Sequence, residues 1–434
     1  MKSKVSIFWF RRDIRLEDNV GLYDALASEF PVLSVFIFDE NILNKLEDKK
    51  DRRVDYIHQA LTALNKKLNT LKATLNTFYG NPLDVFKLLS ENYDIQTVYI
   101  NRDYEPQAIK RDKEIYEFFS SQNILLKAYK DQVIFDRNDV LKKDGKPYTV
   151  YTPYSKKWKE LLKLENYKSY VPDLRNLFKQ EFAKIHSLND IGFEKTDISF
   201  EPPKLNAKII DEYHKFRDYP SIQNTTQLGI ALRFGTISIR KCVAFALKHS
   251  QTWLNELIWR EFFMQILYHY PKVVEQSFKS KYDNIAWRNN EQEFEKWCEG
   301  KTGYPIVDAG MRQLNQTGYM HNRVRMIVAS FLCKHLLIDW RWGEAYFAQK
   351  LNDFDLSANN GNWQWASGSG CDSAPYFRIF NPQLQTSKFD KNMEYIKKWI
   401  SEFGTAAYPK QMVEHSFARD RSLKVYKQAL KENR

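Results

Sequence analysis

The sequence predicts an N-terminal α/β domain with a doubly wound parallel sheet, followed by a larger all-α C-terminal domain. In the first part of the chain, short apolar runs alternate with segments of helical spacing. Beyond Pro203 the strand-like runs nearly vanish, and amphipathic segments of helix length follow one another. The predicted boundaries are 1–132 for the α/β domain, 133–203 for a connector in which periodicity fades, and 204–434 for the helical domain.

The strands of the α/β domain are predicted from five short apolar runs. These runs cover residues 5–10, 33–38, 75–79, 97–100 and 124–129. Between two of them lies a segment with apolar residues at helical spacing, namely Leu61, Leu64, Leu68 and Leu71. Because strands alternate with helices, a parallel sheet covered on both faces is predicted.

The residues after the first predicted strand limit which ligands this domain can bind. The following residues, FRRDIRLEDN, contain no glycine, which excludes a glycine-rich dinucleotide loop at this place. Ligands of this fold class bind at the carboxyl ends of strands. The residues that could line such a crevice are Asp39, Asn101, Arg102 and Tyr104. Solvated loop ends are an equally good interpretation of these residues.

Composition limits the function classes. The 434 residues exceed one compact core, and the formal net charge of +12 is compatible with a polyanionic partner. The four cysteines form no CxxC pair, which is typical of reduced thiols in a cytoplasmic protein. No apolar run approaches the length of a membrane span, so no membrane partner is predicted. There is no HExxH motif, and no metal is predicted.

The stretch 353–378, DFDLSANNGNWQWASGSGCDSAPYFR, departs furthest from an ordinary globular composition. Two carboxylates, two adjacent asparagines and two tryptophans stand among small residues that let backbone approach a ligand. Trp363 and Trp365 are two residues apart and cannot share a helix face. We therefore predict that Trp363 faces a bound cofactor and Trp365 an exposed substrate. The alternative is a polar loop with two core aromatics.

Aromatic residues are concentrated in the helical part. Eight of the eleven tryptophans fall between Trp253 and Trp365. Tryptophan, tyrosine and arginine in one basic helical region indicate stacking on planar rings, either nucleobases or a conjugated cofactor.

Two helical segments carry candidate site residues on one face. In QTWLNELIWREFF an apolar stripe, Leu254, Leu257 and Ile258, lies apart from a face with Glu256, Trp259, Arg260 and Phe263. An ordinary Glu256–Arg260 helix pair is the alternative for that face. In GYMHNRVRMIVASFL one face carries Asn322, Arg325 and Met326, with Arg323 beside them, and suits a pocket for heteroatoms and apolar ring edges. His321 fits a capping, core or catalytic role.

A third candidate segment is Thr-Thr-Gln-Leu-Gly at 225–229, which precedes a helix predicted to begin near Ser238. Hydroxyl groups and backbone amides before a helix suit phosphate oxygens. The same five residues are also an acceptable turn.

Together, NELIWREFF, EGKTGYPIVDAGMRQLNQTGYMHNRVRM, DWRWGEAYF and LSANNGNWQWASGSGCDSAPYFRIFNP resemble the photolyase and cryptochrome family. The motifs look most like those of class I cyclobutane pyrimidine dimer (CPD) DNA photolyases. This resemblance implies a helical domain that holds a folded FAD beneath a basic surface. It also implies light-dependent repair of pyrimidine dimers, with an electron passing from photoexcited, reduced and anionic FAD to a flipped-out dimer.

The resemblance implies roles for individual residues. Asn359 matches the residue that faces flavin N5, and an amide can form a hydrogen bond there with or without a proton on N5. The positions that match FAD contacts are Tyr213, Thr225, Thr226, Gln227, Leu228, Gly229, Trp253, Arg260, Arg325, Asp353, Asp355 and Asn359. Gln227 and Gly229 stand where arginine and serine are more common.

The implied substrate site has Trp259 and Trp365 as aromatic walls for the dimer. Around them are Arg217, Glu256, Asn322, Arg323 and Met326. Glu256 would hydrogen-bond the pyrimidine edge as charge develops there. Trp363, Trp340 and Trp287 match the tryptophan chain that carries an electron to an oxidised flavin; three core tryptophans are the alternative.

Other family functions are weighed against repair of cyclobutane dimers. A (6-4) photolyase is expected to have paired histidines near the substrate, whereas His321 is followed by Asn322. A cryptochrome receptor often has a C-terminal extension, and this chain stops soon after KVYKQALKENR. A purely DNA-binding protein would account for the charge but not for Asn359 and the two aspartates. We therefore expect a repair enzyme that acts as a monomer.

The resemblance also implies a second, antenna chromophore in the α/β domain, either methenyltetrahydrofolate or 8-hydroxy-deazaflavin. Ala108 stands where the folate type usually has a glutamate, which removes one folate contact. VFIFDENIL looks more like the deazaflavin pattern, and an empty site is also compatible with these residues.

Overall fold

The computed structural model describes residues 2–431, which pack into two compact units. The first unit consists of Met1–Val140, Trp158–Leu205 and Gln227–Leu257, and the second of Leu141–Lys157, Asn206–Thr226 and Ile258–Arg434. Each unit is built from several chain segments. The boundaries at 132 and 203 therefore stay a prediction about sequence segments.

The first unit is organised around a five-stranded parallel sheet with the order β3-β2-β1-β4-β5. The strands are β1 Ser3–Phe10, β2 Val32–Asp39, β3 Leu75–Gly80, β4 Tyr93–Asn101 and β5 Leu125–Tyr129. All five predicted strands and their parallel arrangement are confirmed. In register, Ile7 on β1 lies opposite Leu33 on β2 and Val98 on β4.

Both faces of this sheet are covered by apolar side chains. Along β1, Val5, Ile7 and Trp9 contribute to one core cluster, while Phe8 and Phe10 contribute to another. Alternate residues of a strand point to opposite faces, so burial of both sets confirms the doubly wound α/β architecture. The helices that alternate with the strands are α1 Val20–Leu26, α2 Glu40–Leu43, α3 Arg52–Thr70, α4 Pro82–Asn92 and α5 Pro106–Ser121.

A buried ion network joins distant segments within the first unit. Arg15 and Arg240 both bind Asp131, at 2.7 and 2.8 Å, and Arg240 also binds Asp18 at 2.9 Å. Burial alone would raise the pKa of Asp131, but the two guanidinium groups outweigh burial and hold the pKa below its usual value. Opposite charges thus compensate one another in an interior from which water is largely excluded.

The middle of the chain contains regular structure that the sequence analysis did not predict. After Pro147 the chain forms α6 Tyr151–Leu161, followed by α7 Leu164–Tyr167. Tyr154 and Trp158 are both buried, and their i, i+4 spacing places them on one face of α6. Two anchoring aromatics among polar neighbours are too few to produce a visible periodicity, which is why this helix was missed.

The remainder of the described chain is helical, as predicted. The helices are α8 Ala207–Asp211, α9 Tyr213–Phe216, α10 Gly229–Arg233, α11 Ile239–His249, α12 Gln251–His269, α13 Glu291–Glu299, α14 Pro305–Thr317, α15 Asn322–Ser330, α16 Trp340–Lys350, α17 Leu356–Ser367, α18 Pro382–Phe389, α19 Glu394–Trp399 and α20 His415–Lys431. The core of the second unit is one large cluster to which α14, α15, α16 and α17 contribute. Within residues 2–431, no helix combines the length and the apolar character needed to cross a membrane.

Candidate active site

The second unit contains a cavity of about 610 Å³, part of it open to solvent. The cavity lies among α15, α16, α17 and the turn before α17. The predicted site residues that line it are Asn322, Arg325, Met326, Asp353, Asp355, Asn359, Trp363 and Trp365.

The face of α15 that lines the cavity is the predicted one. Asn322, Arg325 and Met326 face the cavity, whereas Val324 and Val328 are fully buried on the core side. In an α-helix, residues three and four positions apart share one face, and the residues between them lie on the other side. Asn322, Arg325 and Met326 have this spacing. The sequence-based division of α15 into a cavity face and a core face is therefore confirmed.

An ion pair fixes the cavity wall in the first turn of α15. The guanidinium of Arg325 contacts both carboxylate oxygens of Asp353, at 3.0 and 3.1 Å, and its Nε donates to the carbonyl of Met320 at 2.8 Å. Both carboxylate oxygens are contacted by one nitrogen, Nη2, while Nε is used by Met320, so the guanidinium is held at two points. Arg325 and Asp353 therefore present fixed polar groups to the cavity.

Asp355 starts the helix that supplies most of the cavity wall. Its carboxylate accepts the backbone N–H groups of Ser357 and Ala358, at 3.2 and 3.4 Å, and caps α17. A capping carboxylate satisfies amides that have no partner within the helix. The stretch with two asparagines and two tryptophans is thus a regular helix, which excludes the polar-loop interpretation of that stretch.

Asn359 is oriented by a residue that the sequence analysis missed. Its side-chain nitrogen donates to the main-chain carbonyl of Glu344 at 3.0 Å and to the Glu344 carboxylate at 2.8 Å. Both amide hydrogens are therefore used. The oxygen of the Asn359 amide remains as an acceptor, and Asn359 is part of the cavity lining. Burial raises the pKa of Glu344, and the hydrogen bond from Asn359 opposes that rise.

The two tryptophans of α17 differ in burial. Trp363 is 2% exposed, and its ring packs edge-to-face on Phe347 with the ring centres 5.0 Å apart. A Cβ atom on Gly343 would lie 2.1 Å from the Trp363 ring, so only glycine lets α16 approach the indole this closely. Trp365 is half-buried. Both tryptophans line the cavity, so the assignment of Trp363 to a cofactor and of Trp365 to a substrate stays a prediction.

The three tryptophans of the implied relay belong to one apolar cluster. Trp363 and Trp340 are buried members of the core of the second unit, and Trp287 is half-buried and packs against that core. Trp287 also meets Tyr426 edge-on, with the ring centres 6.0 Å apart. The Arg341 guanidinium lies over the Trp340 ring at 4.7 Å, so the surroundings of the three indoles are apolar except at Trp340.

The predicted substrate residues outside the cavity lining have partners of their own. Arg323 forms a 2.7 Å ion pair with Asp218 and lies over the Phe389 ring at 4.4 Å. The guanidinium of Arg217 lies over the Tyr213 ring at 5.3 Å. Neither arginine lines the cavity among the residues described.

The helix α12 carries four of the predicted residues at a helical spacing. Trp253 is 3% exposed, while Glu256, Trp259 and Arg260 are half-buried. The predicted apolar stripe of this helix is buried. Phe263, which the sequence placed on the mixed face, is also buried, because it packs against α17 at Gly361.

The predicted phosphate segment precedes a short helix. Thr225 makes a 3.4 Å hydrogen bond with the Tyr319 hydroxyl, Gln227 has a left-handed backbone with φ of 49°, and Gly229 begins α10. Ser238 caps α11, which confirms the helix start predicted there. The roles of Thr226 and Leu228 in binding phosphate stay predictions.

His321 is a capping residue. Its Nδ1 accepts the backbone N–H of Arg323 at 3.2 Å at the start of α15. Burial lowers the pKa of His321 to about 4, and the neighbouring Arg325 adds to that effect. The histidine is therefore neutral at physiological pH and has a local structural use.

The polar residues at the strand ends of the first unit are engaged in internal bonds. The Asn101 amide donates to Asp13 and Asn19, and its oxygen accepts the backbone N–H of Gly21. Arg102 and Tyr104 both bind Asp136. These groups hold the ends of the sheet together, which favours the structural interpretation of Asn101 and Tyr104.

The donor set of the cavity fits a large planar cofactor with polar edges. Phe347, Phe354 and Trp363 offer aromatic surface, while amides, an arginine and two carboxylates offer hydrogen bonds in fixed directions. A flavin has apolar ring faces and an edge of heteroatoms, and this mixture suits it. Glu344 and Phe347 lie in the motif DWRWGEAYF, but neither they nor Phe354 were predicted as site residues, because their role depends on which segments meet.

Comparison with known families gives two matches. Residues 6–173 match the family described as DNA photolyase, and residues 253–407 match the FAD-binding domain of DNA photolyase. A curated deoxyribodipyrimidine photo-lyase of Vibrio cholerae is 36% identical over 98% of this chain and 99% of its own length.

Solved structures show the same fold over nearly the whole chain. A bacterial class III photolyase from Agrobacterium tumefaciens has a TM-score of 0.89 at 32% identity, covering 99% of this chain and 98% of its own. An archaeal photolyase from Sulfolobus tokodaii, solved with two FAD molecules, has a TM-score of 0.83 at 33% identity and covers 98% of this chain and 100% of its own.

Proposed function

The chain belongs to the DNA photolyase family, and on that basis we propose that it repairs cyclobutane pyrimidine dimers in DNA by a light-dependent reaction. It is a carbon–carbon lyase with FAD as its cofactor. The observation that carries the proposal is the cavity of the second unit, in which a fixed amide, Asn359, lies on the same helix as the buried Trp363 and the half-buried Trp365. The class within the family stays the prediction made from the motifs.

FAD supplies the photochemistry: when bound and reduced, it absorbs blue or near-ultraviolet light and gives one electron to the dimer, which splits and returns it. The protein binds and orients this cofactor. The proposed cavity contacts are Arg325, Asp353, Asp355 and Asn359. The remaining proposed FAD contacts are carried over from the family motif and are Tyr213, Thr225, Thr226, Gln227, Leu228, Gly229, Trp253 and Arg260.

Asn359 is proposed to favour reduced FAD. Because both hydrogens of its amide bind Glu344, the side chain offers an oxygen, which can only accept a hydrogen bond. Reduced flavin carries a hydrogen on N5 and oxidised flavin does not. The acceptor therefore matches the reduced form, and Glu344 acts as the residue that positions Asn359.

The substrate side of the proposal rests on aromatic surface and charge. Trp259 and Trp365 are the proposed walls for the extruded dimer, and stacking on an aromatic ring is worth roughly 1–3 kcal/mol per base. Glu256 is the proposed partner of the pyrimidine edge. Asn322, Arg323, Met326 and Arg217 are proposed to surround the lesion. The net charge of +12 favours a phosphate backbone as partner.

The tryptophans Trp363, Trp340 and Trp287 are proposed to pass an electron from the surface to oxidised FAD. Support comes from their membership of one apolar cluster, with burial decreasing from Trp363 and Trp340 to Trp287. The relay restores the reduced cofactor and takes no part in repair itself.

The alternative activities of this family fit the cavity less well. A (6-4) photolyase needs paired histidines at the lesion. No histidine is part of the cavity lining among residues 2–431, and His321 caps α15 instead. Asn322 and Met326 occupy the cavity face of this helix. A cryptochrome receptor remains the second candidate, because it would use the same FAD cavity.

The proposal also covers the partners and the location of the protein. We propose that the first unit binds an antenna chromophore, either a folate or a deazaflavin. The archaeal relative solved with two FAD molecules supports the presence of a second light-absorbing group. We further propose that the protein acts as a cytoplasmic monomer.

Repair itself is the test of the function. Reduced protein, mixed with ultraviolet-damaged oligothymidine, should restore the ultraviolet absorbance of thymine under blue or near-ultraviolet light. The same mixture kept in the dark is the control and should remain unchanged. Protein that carries reduced FAD yet restores no thymine absorbance in the light would contradict the proposed activity.

Replacement of the outermost tryptophan tests the relay. Trp287→Phe should block light-driven reduction of oxidised FAD, because phenylalanine is much harder to oxidise, while repair by protein reduced beforehand should persist. Trp399→Phe, which changes another half-buried tryptophan, is the matched control and should photoreduce normally. Normal photoreduction in Trp287→Phe would place the electron path elsewhere.

Replacement of Glu344 tests the orientation of Asn359. In Glu344→Gln the new amide can donate a hydrogen, so Asn359 can turn and present its nitrogen to the cavity. The two-electron reduction potential of bound FAD should fall by roughly 10–30 mV, the equivalent of one hydrogen bond. The exposed Glu295→Gln is the control. Equal potentials in Glu344→Gln and the parent protein would remove Glu344 from this role.

A further inference from the structure

Trp259 is held by a residue that neither the family motif nor the cavity identifies. We propose that Tyr151 is a positioning residue that fixes the plane of the Trp259 indole for stacking against the dimer. This inference rests on the proposed function, because it assigns Tyr151 a role in substrate recognition that acts through Trp259.

The contact between the two rings is a full parallel stack. The ring centres of Tyr151 and Trp259 are 3.7 Å apart, and their planes differ by 5°. At this separation the rings are in van der Waals contact over their faces. One face of the indole is therefore covered by the tyrosine.

The position of Tyr151 around α12 shows which side of the indole it covers. Tyr151 also meets Phe262 edge-on, with the ring centres 5.9 Å apart. At about 100° per residue, Phe262 lies roughly 60° to one side of Trp259 on the helix, while Phe263 and Glu256 lie roughly 40° and 60° to the other. Tyr151 thus stacks from the side of the buried Phe262. It therefore contacts the face of the indole that is turned toward Phe262.

The opposite side of the Trp259 indole has no parallel stack of this kind and has a looser contact with one other ring. Phe263 lies there with its ring centre 5.5 Å away and its plane tilted by 30°. Phe263 is already in close contact with α17, because a Cβ atom at Gly361 would lie 2.2 Å from its ring. Trp259 is half-buried, and Glu256 projects from α12 on the same side of the indole as Phe263, so we assign the exposed part of the ring to that side. That surface is what a flipped-out base can stack on.

The backbone of Tyr151 is itself anchored. Its N–H donates to the Asp372 carboxylate at 3.0 Å, so a first-turn amide of α6 is satisfied from outside the helix. Asp372 has a left-handed backbone with φ of 46°. One turn further along α6, the Tyr154 hydroxyl donates to Glu261 on α12 at 3.3 Å. Because α6 is held at both points, the Tyr151 ring is a fixed support.

This support has a consequence for binding. A tryptophan that is already held in its binding orientation loses less rotational freedom when a base stacks on it than an indole that can turn. Removal of Tyr151 should therefore weaken binding of the dimer and leave general attraction to the phosphate backbone unchanged.

The test compares binding of oligothymidine with and without one cyclobutane dimer to the FAD-containing protein. Tyr151→Ala should raise the Kd for dimer-containing DNA about three- to tenfold, which is the size of one aromatic pair. Tyr151→Phe keeps the ring and should bind like the parent. Tyr151→Leu keeps apolar bulk without the stack and should bind like Tyr151→Ala.

Three further measurements distinguish a role of Tyr151 in dimer recognition from a general effect on folding. The Kd for undamaged oligothymidine and the FAD content should be unchanged in every variant. Tyr116→Ala removes an exposed tyrosine from α5 and is the matched control. In a Trp259→Ala background, Tyr151→Ala should have no further effect on dimer binding, because Tyr151 acts only through the indole.

The outcomes separate this inference from the proposed function. Parent-like dimer binding by Tyr151→Ala and Tyr151→Leu would overturn the role of Tyr151, as would fully additive effects of the two alanine substitutions. If the parent protein itself does not prefer dimer-containing DNA, the proposed function fails and this inference fails with it.

Discussion

The site depends on how closely α17 is packed by its neighbours. Gly343 on α16 admits the Trp363 ring against the helix backbone, and Gly361 on α17 admits the Phe263 ring in the same way. Both approaches leave no room for a Cβ atom. Since packed interiors do not deform continuously, these two contacts fix the rotation and the height of α17. Every other function of the helix follows from that placement, because each of its residues then faces a set environment.

Polar contacts fix the side chains around α17 in addition to the packing of its backbone. The cap by Asp355 sets the start of α17, the Arg325–Asp353 pair fixes the adjacent wall, and Glu344 turns the Asn359 amide. In each case the partner consumes donors that would otherwise be available to a ligand. The cavity therefore presents particular acceptors and donors, which is how a protein selects one oxidation state of a cofactor. The stack of Tyr151 on Trp259 is a second case in which a contact with a distant segment fixes the orientation of a side chain.

Much of this could be predicted from the sequence, and the omissions have a physical cause. The five strands and the cavity face of α15 follow from local periodicity. Glu344 and Tyr151 do not, because each acts through a contact between segments far apart in the chain. Tyr151 also lies in a part predicted to be a connector, where two buried aromatics were the only trace of a helix. Some residue roles come from the family motif alone, without a contact in the structure that supports them. These roles stay proposals.

The central claim is that α17 brings the cofactor-facing Asn359 and the substrate-facing Trp365 together on one rigid element, so that an electron can pass from FAD to a dimer. The fluorescence lifetime of reduced FAD in the protein tests this most directly. Saturating oligothymidine with a cyclobutane dimer should shorten the lifetime, because electron transfer competes with emission, while undamaged oligothymidine should leave it unchanged. An equal lifetime with both DNAs, at concentrations where the dimer is bound, would contradict the account.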